Sequence, residues 1–257
     1  MIITRRCWLA TLSACLVAPT GWAFWRSFCN TDNNNVAEAT IDELIEALRN
    51  EEVPGMCYDP RGSAQGFACA GKAAFQSGIL GSGLRRSPVL CEIVSRGAAS
   101  LPALLEHLAD VRTTGVKVRQ PIAAFGAAWF SDEYDPRFPG AAYPVNQGME
   151  VALPQPYTIR IGDLCYVAVG QIVNRHLYAV RYQPSTCVVV NSPVENPELA
   201  NAARRDWGNC NTNDHIDSLL GDLGENSYRE GAILRLRYYY PFVSLPQWGF
   251  GRDSEVS

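Results

Sequence analysis

Ser87-Pro88-Val89-Leu90-Cys91-Glu92-Ile93-Val94-Ser95-Arg96-Gly97, followed by Ser100-Leu101-Pro102-Ala103-Leu104-Leu105-Glu106-His107-Leu108, sets the expected fold class. Ser87 is a natural N-cap, and Pro88 suits the first helical position because its missing N–H would have no partner there anyway. Val89, Leu90, Ile93 and Val94 then share one face, and Gly97 can end the helix in a left-handed conformation. Ser100 reads as the cap of a second helix, in which Leu101, Leu104, Leu105 and Leu108 recur at i, i+3, i+4 and i+7. A turn this short between two amphipathic helices predicts that they pack back antiparallel.

The same grammar recurs outward from this segment. Thr40-Ile41-Asp42-Glu43 is a capping box that opens an apolar stripe of Ile41, Leu44, Ile45 and Leu48, with Pro54-Gly55 as its stop. A helix is expected over Asp163–Arg175 and another from Asn196-Pro197. Ile216, Leu219, Leu220 and Leu223 stripe a third, and Ser227-Tyr228-Arg229-Glu230 reads as a second capping box opening a helix that stops at Pro241. One β-branched run, Cys187–Val190, favours a strand. Between the helices lie a Gly/Ala/Ser-rich stretch from Cys57 to Arg86, with a short helix expected over Ala68–Phe75, and a long excursion from Trp129 to Tyr157. That excursion carries Pro136, Pro139, Pro144, Pro154 and Pro156 among aromatics, and ordered loops of such length are commonly functional. Gly78, Gly81 and Gly83 beside Arg85 and Arg86 lack the spacing of a phosphate loop and read as a connector.

Ala98 to Leu108 resembles the second helix of a HEAT or armadillo unit, and Gly162-Asp163-Leu164-Cys165-Tyr166-Val167-Ala168-Val169-Gly170-Gln171-Ile172 resembles the first helix of another. The likeness covers about a fifth of the chain, and no regular period of about 40 residues joins the two segments. It implies a scaffold for binding. The expected fold is therefore mainly α, an irregular stack of antiparallel helical hairpins, HEAT-like, with long Pro/Gly-rich loops.

Arg5-Arg6 precede a run from Cys7 to Trp25 without a charged side chain, and Gly21-Trp22-Ala23 offers small residues one and three positions before a cut. That layout is a secretory signal. Thr4-Arg5-Arg6-Cys7-Trp8-Leu9 resembles a twin-arginine export motif, which implies folding before export, although Ala10 stands where Lys is usual. Leu12-Ser13-Ala14-Cys15 resembles a bacterial lipobox, which implies acylation at Cys15. An uncleaved anchor is a third fate, and Pro19 and Gly21 make it a poor span. The expected organisation is a signal peptide at 1–23, a tether at 24–39, a mainly helical domain at 40–248 and a disordered tail at 249–257. The destination is periplasmic or the cell surface, with membrane contact only through the leader if it is lipidated or uncleaved.

The chain has 257 residues, 47% hydrophobic and 19% charged, with a formal net charge of −4. A chain of this size buries enough surface to fold without metal or disulfide staples. The acidic balance, which deepens once Arg5 and Arg6 are lost, argues against nucleic acid as a partner. Beyond Ala23 seven of the nine cysteines remain, an odd set without a C-x-x-C pair, so neither a zinc nor an iron–sulfur framework is expected. Cys91 and Cys165 fall in apolar stripes and read as buried hydrophobes. Cys29, Cys57, Cys69 and Cys210 are the disulfide candidates.

Asn174-Arg175-His176 with Arg181, Tyr182 and Gln183 is the densest set of functional side chains. Arg175 and Arg181 can clamp an anionic ligand bidentately, and His176 can relay a proton. Equally, cations at a helix C-terminus offset the macrodipole. Asp132-Glu133-Tyr134-Asp135 places carboxylates beside Trp129, Phe130 and Phe138, a combination that can bind or hydrolyse glycans. A nucleophile built from Cys187 or Cys165 with His176 and Asp163 or Asp217 lacks any local signature. His107 and His215 have no sequence partner that would make a metal site, and no metal or cofactor is expected. These readings favour an exported, non-catalytic interaction or scaffold protein of the cell envelope, with an envelope protein or an anionic ligand as partner. The alternative is an envelope hydrolase that uses the acidic loop or the His/Arg set.

Overall fold

A computed structural model describes residues 36–51, 67, 87–118, 128–135, 157–182 and 188–245. The chain divides into two units, Met1–Asn33 and Asn34–Ser257, and the described residues all belong to the second. The leader, Cys15, Pro54-Gly55, the Ala68–Phe75 segment, the Gly78–Arg86 connector and Cys29, Cys57, Cys69 and Cys187 lie outside them. So do the side chains of Trp129, Arg181 and Tyr182.

The described part is mainly helical. Seven α-helices run in the order α1 (Ile41–Ala47), α2 (Pro88–Ser95), α3 (Leu101–Glu106), α4 (Ile161–Val173), α5 (Pro197–Trp207), α6 (Thr212–Asp222) and α7 (Arg229–Tyr239). Short strands β1 (Thr113–Lys117), β2 (Ala128–Phe130), β3 (Thr158–Arg160), β4 (Val180–Tyr182) and β5 (Val188–Val190) fall between them. β1 and β3 pair antiparallel, with an irregular register between Thr113↔Arg160 and Lys117↔Thr158. β5 is central in the second sheet, parallel to β2 and antiparallel to β4.

Several expected caps form. Thr40 Oγ1 accepts from Glu43 N–H at 3.3 Å while the Glu43 carboxylate accepts from Thr40 N–H at 2.7 Å. Ser87 Oγ accepts from Leu90 N–H at 2.9 Å, and Gly97 takes φ +62°. Asn196 Oδ1 caps α5 by accepting from Glu198 N–H. Other details differ. Ser100 does not cap α3, because its hydroxyl donates instead to Ile93 O at 2.9 Å across the turn. The residues Gly97–Ser100 coil as a 3₁₀ turn, and the two helical arms meet at 110° where an antiparallel return was expected. α7 begins one residue later than its capping box predicts, with Tyr228 at the N-cap position and no side-chain cap. α6, in contrast, opens on an unforeseen box: Asn211 Oδ1 accepts from Asp214 N–H and the Asp214 carboxylate accepts from Asn211 N–H.

α4 is the spine, and every one of its residues is buried. It packs on α1, α2 and α3. Gly162 permits this: its N–H donates to Asp110 O at 3.1 Å, and a Cβ there would stand 2.5 Å from Leu108 O. Leu44, Ile93, Leu104, Leu108, Ile159 and Val190 join α4 in one apolar core, each worth roughly 1.5–3 kcal/mol if fully buried. Cys91 and Cys165 are buried within it. A second, smaller cluster of Leu219, Leu223, Ala232 and Leu236 lies between α6 and α7. No single helix among the described residues is long and apolar enough to cross a membrane.

Candidate functional site

Each end of α4 carries a buried polar cluster. At the N-terminal end, Asp163 is fully buried and accepts from Ser192 Oγ at 2.5 Å, Tyr157 Oη at 2.9 Å and Arg160 N–H at 2.9 Å. Burial raises its carboxyl above the ordinary range, while the three donors pull it back. The same burial raises the Tyr157 phenol, and the neighbouring Asp163 adds to it. Arg160 pairs with Glu195. This cluster ties the β3–α4 junction to the segment that follows β5. Asn191, next to Ser192, is 0% exposed, and among the described residues neither its Oδ1 nor its Nδ2 has a hydrogen-bond partner. An unpaired buried amide costs roughly 1–3 kcal/mol, so this position is a weak point of the packing.

At the C-terminal end, Asn174 adopts a left-handed conformation at φ 60° and ψ 40° and ends α4. Its side chain is a hub. Nδ2 donates to Asp222 Oδ2 at 2.7 Å and to Tyr228 O at 3.0 Å, while Oδ1 accepts from Arg235 Nη1 at 3.0 Å. Arg235, a buried arginine of α7, also donates to Gln171 O at 2.6 Å and Gly231 O at 2.9 Å. Gly231 is required here, since a Cβ would collide with Asn174 Oδ1. Arg175 donates to Asp222 Oδ2 at 2.6 Å and lies over the rings of Trp207 and Tyr228, at 5.4 and 4.9 Å from their centroids. It also donates to Asn174 O at 3.1 Å, as expected of a cation that satisfies the last carbonyls of a helix.

The acidic loop reaches the same place. Asp135 Oδ2 accepts from His176 N–H at 3.4 Å and from Tyr228 Oη at 3.1 Å. His176 Nδ1 shares a hydrogen bond with Tyr178 Oη at 3.0 Å. Tyr134 Oη accepts from Trp207 Nε1 at 3.2 Å. Sequence positions some 40 residues apart therefore converge, but as packed interior. Asp135 and His176 are buried, Glu133 is buried beside them, and only Asp132 of the three loop carboxylates is exposed. Arg175 and Asp222 keep side-chain exposures of 15% and 7%. Arg181 and Tyr182 are β4 residues whose backbone faces Val189 and Val188.

The cysteine nucleophile does not assemble at Cys165. Burial lifts its thiol far above the ordinary range, with Asp110 and Asp163 adding to the rise. Asp163 sits in the first turn of α4 and His176 lies three residues past its last, so most of the helix, roughly 15 Å at 1.5 Å per residue, separates them. Asp217 is exposed on α6. Cys210 is a free, half-buried thiol whose proton affinity burial raises, so the expected disulfide role does not appear at this position.

His215, Asp222 and Arg235 are members that sequence reading missed. His215 is 0% exposed; its Nε2–H donates to Ile172 O at 3.0 Å, and Nδ1 accepts from Tyr240 Oη at 2.8 Å. A backbone carbonyl only accepts, which fixes this tautomer. Burial lowers the imidazole to about 4, with help from Arg235 and Arg175. The signal for His215 was its place on the apolar side of α6, four residues before Leu219. For Asp222, nothing local marks it. No group of three or more His, Cys, Asp or Glu among the described residues is placed to hold a metal ion. No family model, curated protein or solved structure matches the chain.

Proposed function

We propose that this is an exported, non-catalytic interaction or scaffold protein of the cell envelope. The observation that carries this reading is the Asn174–Arg175–Asp222–Arg235 hub. Asn174, Arg175, Asp222 and Arg235 are engaged with one another, with backbone carbonyls and with aromatic faces. Arg175 meets its carboxylate inside the chain, at Asp222, which leaves little call on an external anion. The leader read from Arg5-Arg6 and Gly21-Trp22-Ala23 supports export, and the mainly helical build supports a scaffold.

The experiment has two arms. Mass spectrometry of the N-terminus after expression in a bacterial host reports the address. A start at Phe24 supports a cleaved signal, an acylated Cys15 supports a lipoprotein, and an intact Met1 in the cytoplasm overturns export. In the second arm the mature protein is incubated with purified peptidoglycan and envelope polysaccharide. Unchanged polymers support a binding role. Soluble fragments released by wild type and lost in Asp132→Asn overturn it in favour of an envelope hydrolase, since Asp132 is the exposed carboxylate of the loop.

A further inference from the structure

The α6–α7 hairpin has an apolar interior of its own. Leu219, Leu223, Ala232 and Leu236 form a cluster separate from the main core, with Leu220, Ile233, Tyr240, Val243 and Leu245 packed on it. Among the described residues, what joins the hairpin to α4 is largely polar, while Tyr238 and Tyr239 also pack on the main core. From α6, His215 Nε2–H reaches Ile172 O, and Asp222 takes the Asn174 amide and the Arg175 guanidinium. From α7 and its start, Arg235 reaches Gln171 O and Asn174, and Tyr228 Oη reaches Asp135. Aromatic edges complete the attachment: Tyr239 Oη donates to Val94 O at 2.5 Å, and the Tyr238 and Tyr239 rings meet Phe67 edge-on at 5.2 and 5.5 Å. The chain enters the hairpin through Gly208–Asn211, where Gly208, Asn209 and Asn211 are exposed.

An element that keeps its own apolar contacts when it leaves, and exchanges polar bonds for water at the surface it leaves, opens at a lower cost than one that shares the core. We propose that α6–α7 is a clasp that opens as one block about Gly208–Asn211 while the core around α4 stays folded. Opening uncovers the C-terminal turn of α4 with the carbonyls of Gln171 and Ile172, and frees the outer face of the hairpin's own helices from the body. The clasp gives the protein two surfaces, closed and open, without unfolding.

Native-state hydrogen exchange of the mature protein, read by mass spectrometry in sub-denaturing urea, tests it. The expected result is a single shared protection level for amides of 216–222 and 233–239, at least tenfold below that of 165–173. Its urea dependence is shallower, because a partial opening exposes less surface. Ile159→Val provides the control, since Ile159 is fully buried in the main core and away from the hairpin. This variant destabilises global unfolding, so exchange in α4 accelerates about fivefold while the hairpin amides stay within twofold of wild type. Equal urea slopes, or the same acceleration in hairpin and α4, overturn the proposal, because the hairpin then opens only when the whole molecule unfolds.

Discussion

Replacing Asn174 separates the strength of the hub from the strain of its backbone. In Asn174→Gly the left-handed turn is retained and eased, a relief of roughly 1 kcal/mol. Three hydrogen bonds are lost, two of them to the charged groups Asp222 and Arg235 and one to Tyr228 O. Bonds to charged partners contribute about 1.5–3 kcal/mol each and a neutral one about 1 kcal/mol. Asp222 retains Arg175, and Arg235 retains Gln171 O and Gly231 O, so the lower end of that range applies. The loss is then roughly 4 kcal/mol, and the net destabilisation about 3 kcal/mol after the backbone relief. Asn174→Ala loses the same bonds and keeps the strained φ, so it falls about 1–2 kcal/mol further. Urea titrations of wild type and both variants followed by circular dichroism measure both. A Gly variant within about 0.5 kcal/mol of wild type, a band typical of neutral surface changes, would refute the hub's contribution. An Ala variant equal to Gly would refute the strain.

Three further outcomes follow from the same packing. His215 is neutral when folded and titrates near 4 against 6.5 when unfolded, so its contribution is complete above about pH 6.5 and is lost as pH falls toward 4. Across that window stability drops by about 3 kcal/mol in wild type and by less in His215→Gln, a difference visible in pH-resolved urea midpoints; parallel curves count against the assignment. Asp163 works in the opposite sense, since a carboxyl raised by burial favours the fold below its unfolded value and loses that contribution as pH rises, so the comparison must be made between variants. Asn191→Leu removes an unpaired buried amide without removing a bond, and the thermal midpoint is expected to hold or rise, whereas a fall of several degrees would mean the amide is satisfied. In the native protein a maleimide reagent labels Cys210 well before Cys91 or Cys165, read by peptide mass, and early labelling of Cys165 would contradict its burial.

The helical class was legible because it is written locally. Thr40, Ser87 and Asn196 sit where caps belong, and the Leu and Ile stripes meet the core as their spacing requires. Gly97 takes its left-handed turn for the same reason. What failed was anything fixed by distant partners. Ser100 looks like a cap and is drawn to Ile93 O instead. β2 and β3 are too short to carry a period, and the pairing of β1, β2 and β3 depends on residues far along the chain. The site shows the same division. Asn174, Arg175 and His176 stood out by density, and their role at the end of α4 could be anticipated from helix electrostatics. That Asp135 would approach from residue 135 and Asp222 from residue 222 had no local trace. Density of functional groups marked the place, and only the fold shows that the groups answer one another.

The order of strands in the second sheet has a consequence for assembly. β5 is the strand that β2 and β4 both require, and it lies some 60 residues after β2, with α4 between them. The β2–β5 ladder cannot begin until residue 190 has been synthesised, whereas the β4–β5 pair, α2, α3 and the turn between them draw on neighbours within a few residues. Contacts that close such long loops form slowly, because the entropy of closure is lost before the pairing repays it. The α2–α3 pair and the β4–β5 pair are therefore the elements that form early, and β2 joins its sheet late. Until then β2 is an open edge whose partner has yet to arrive.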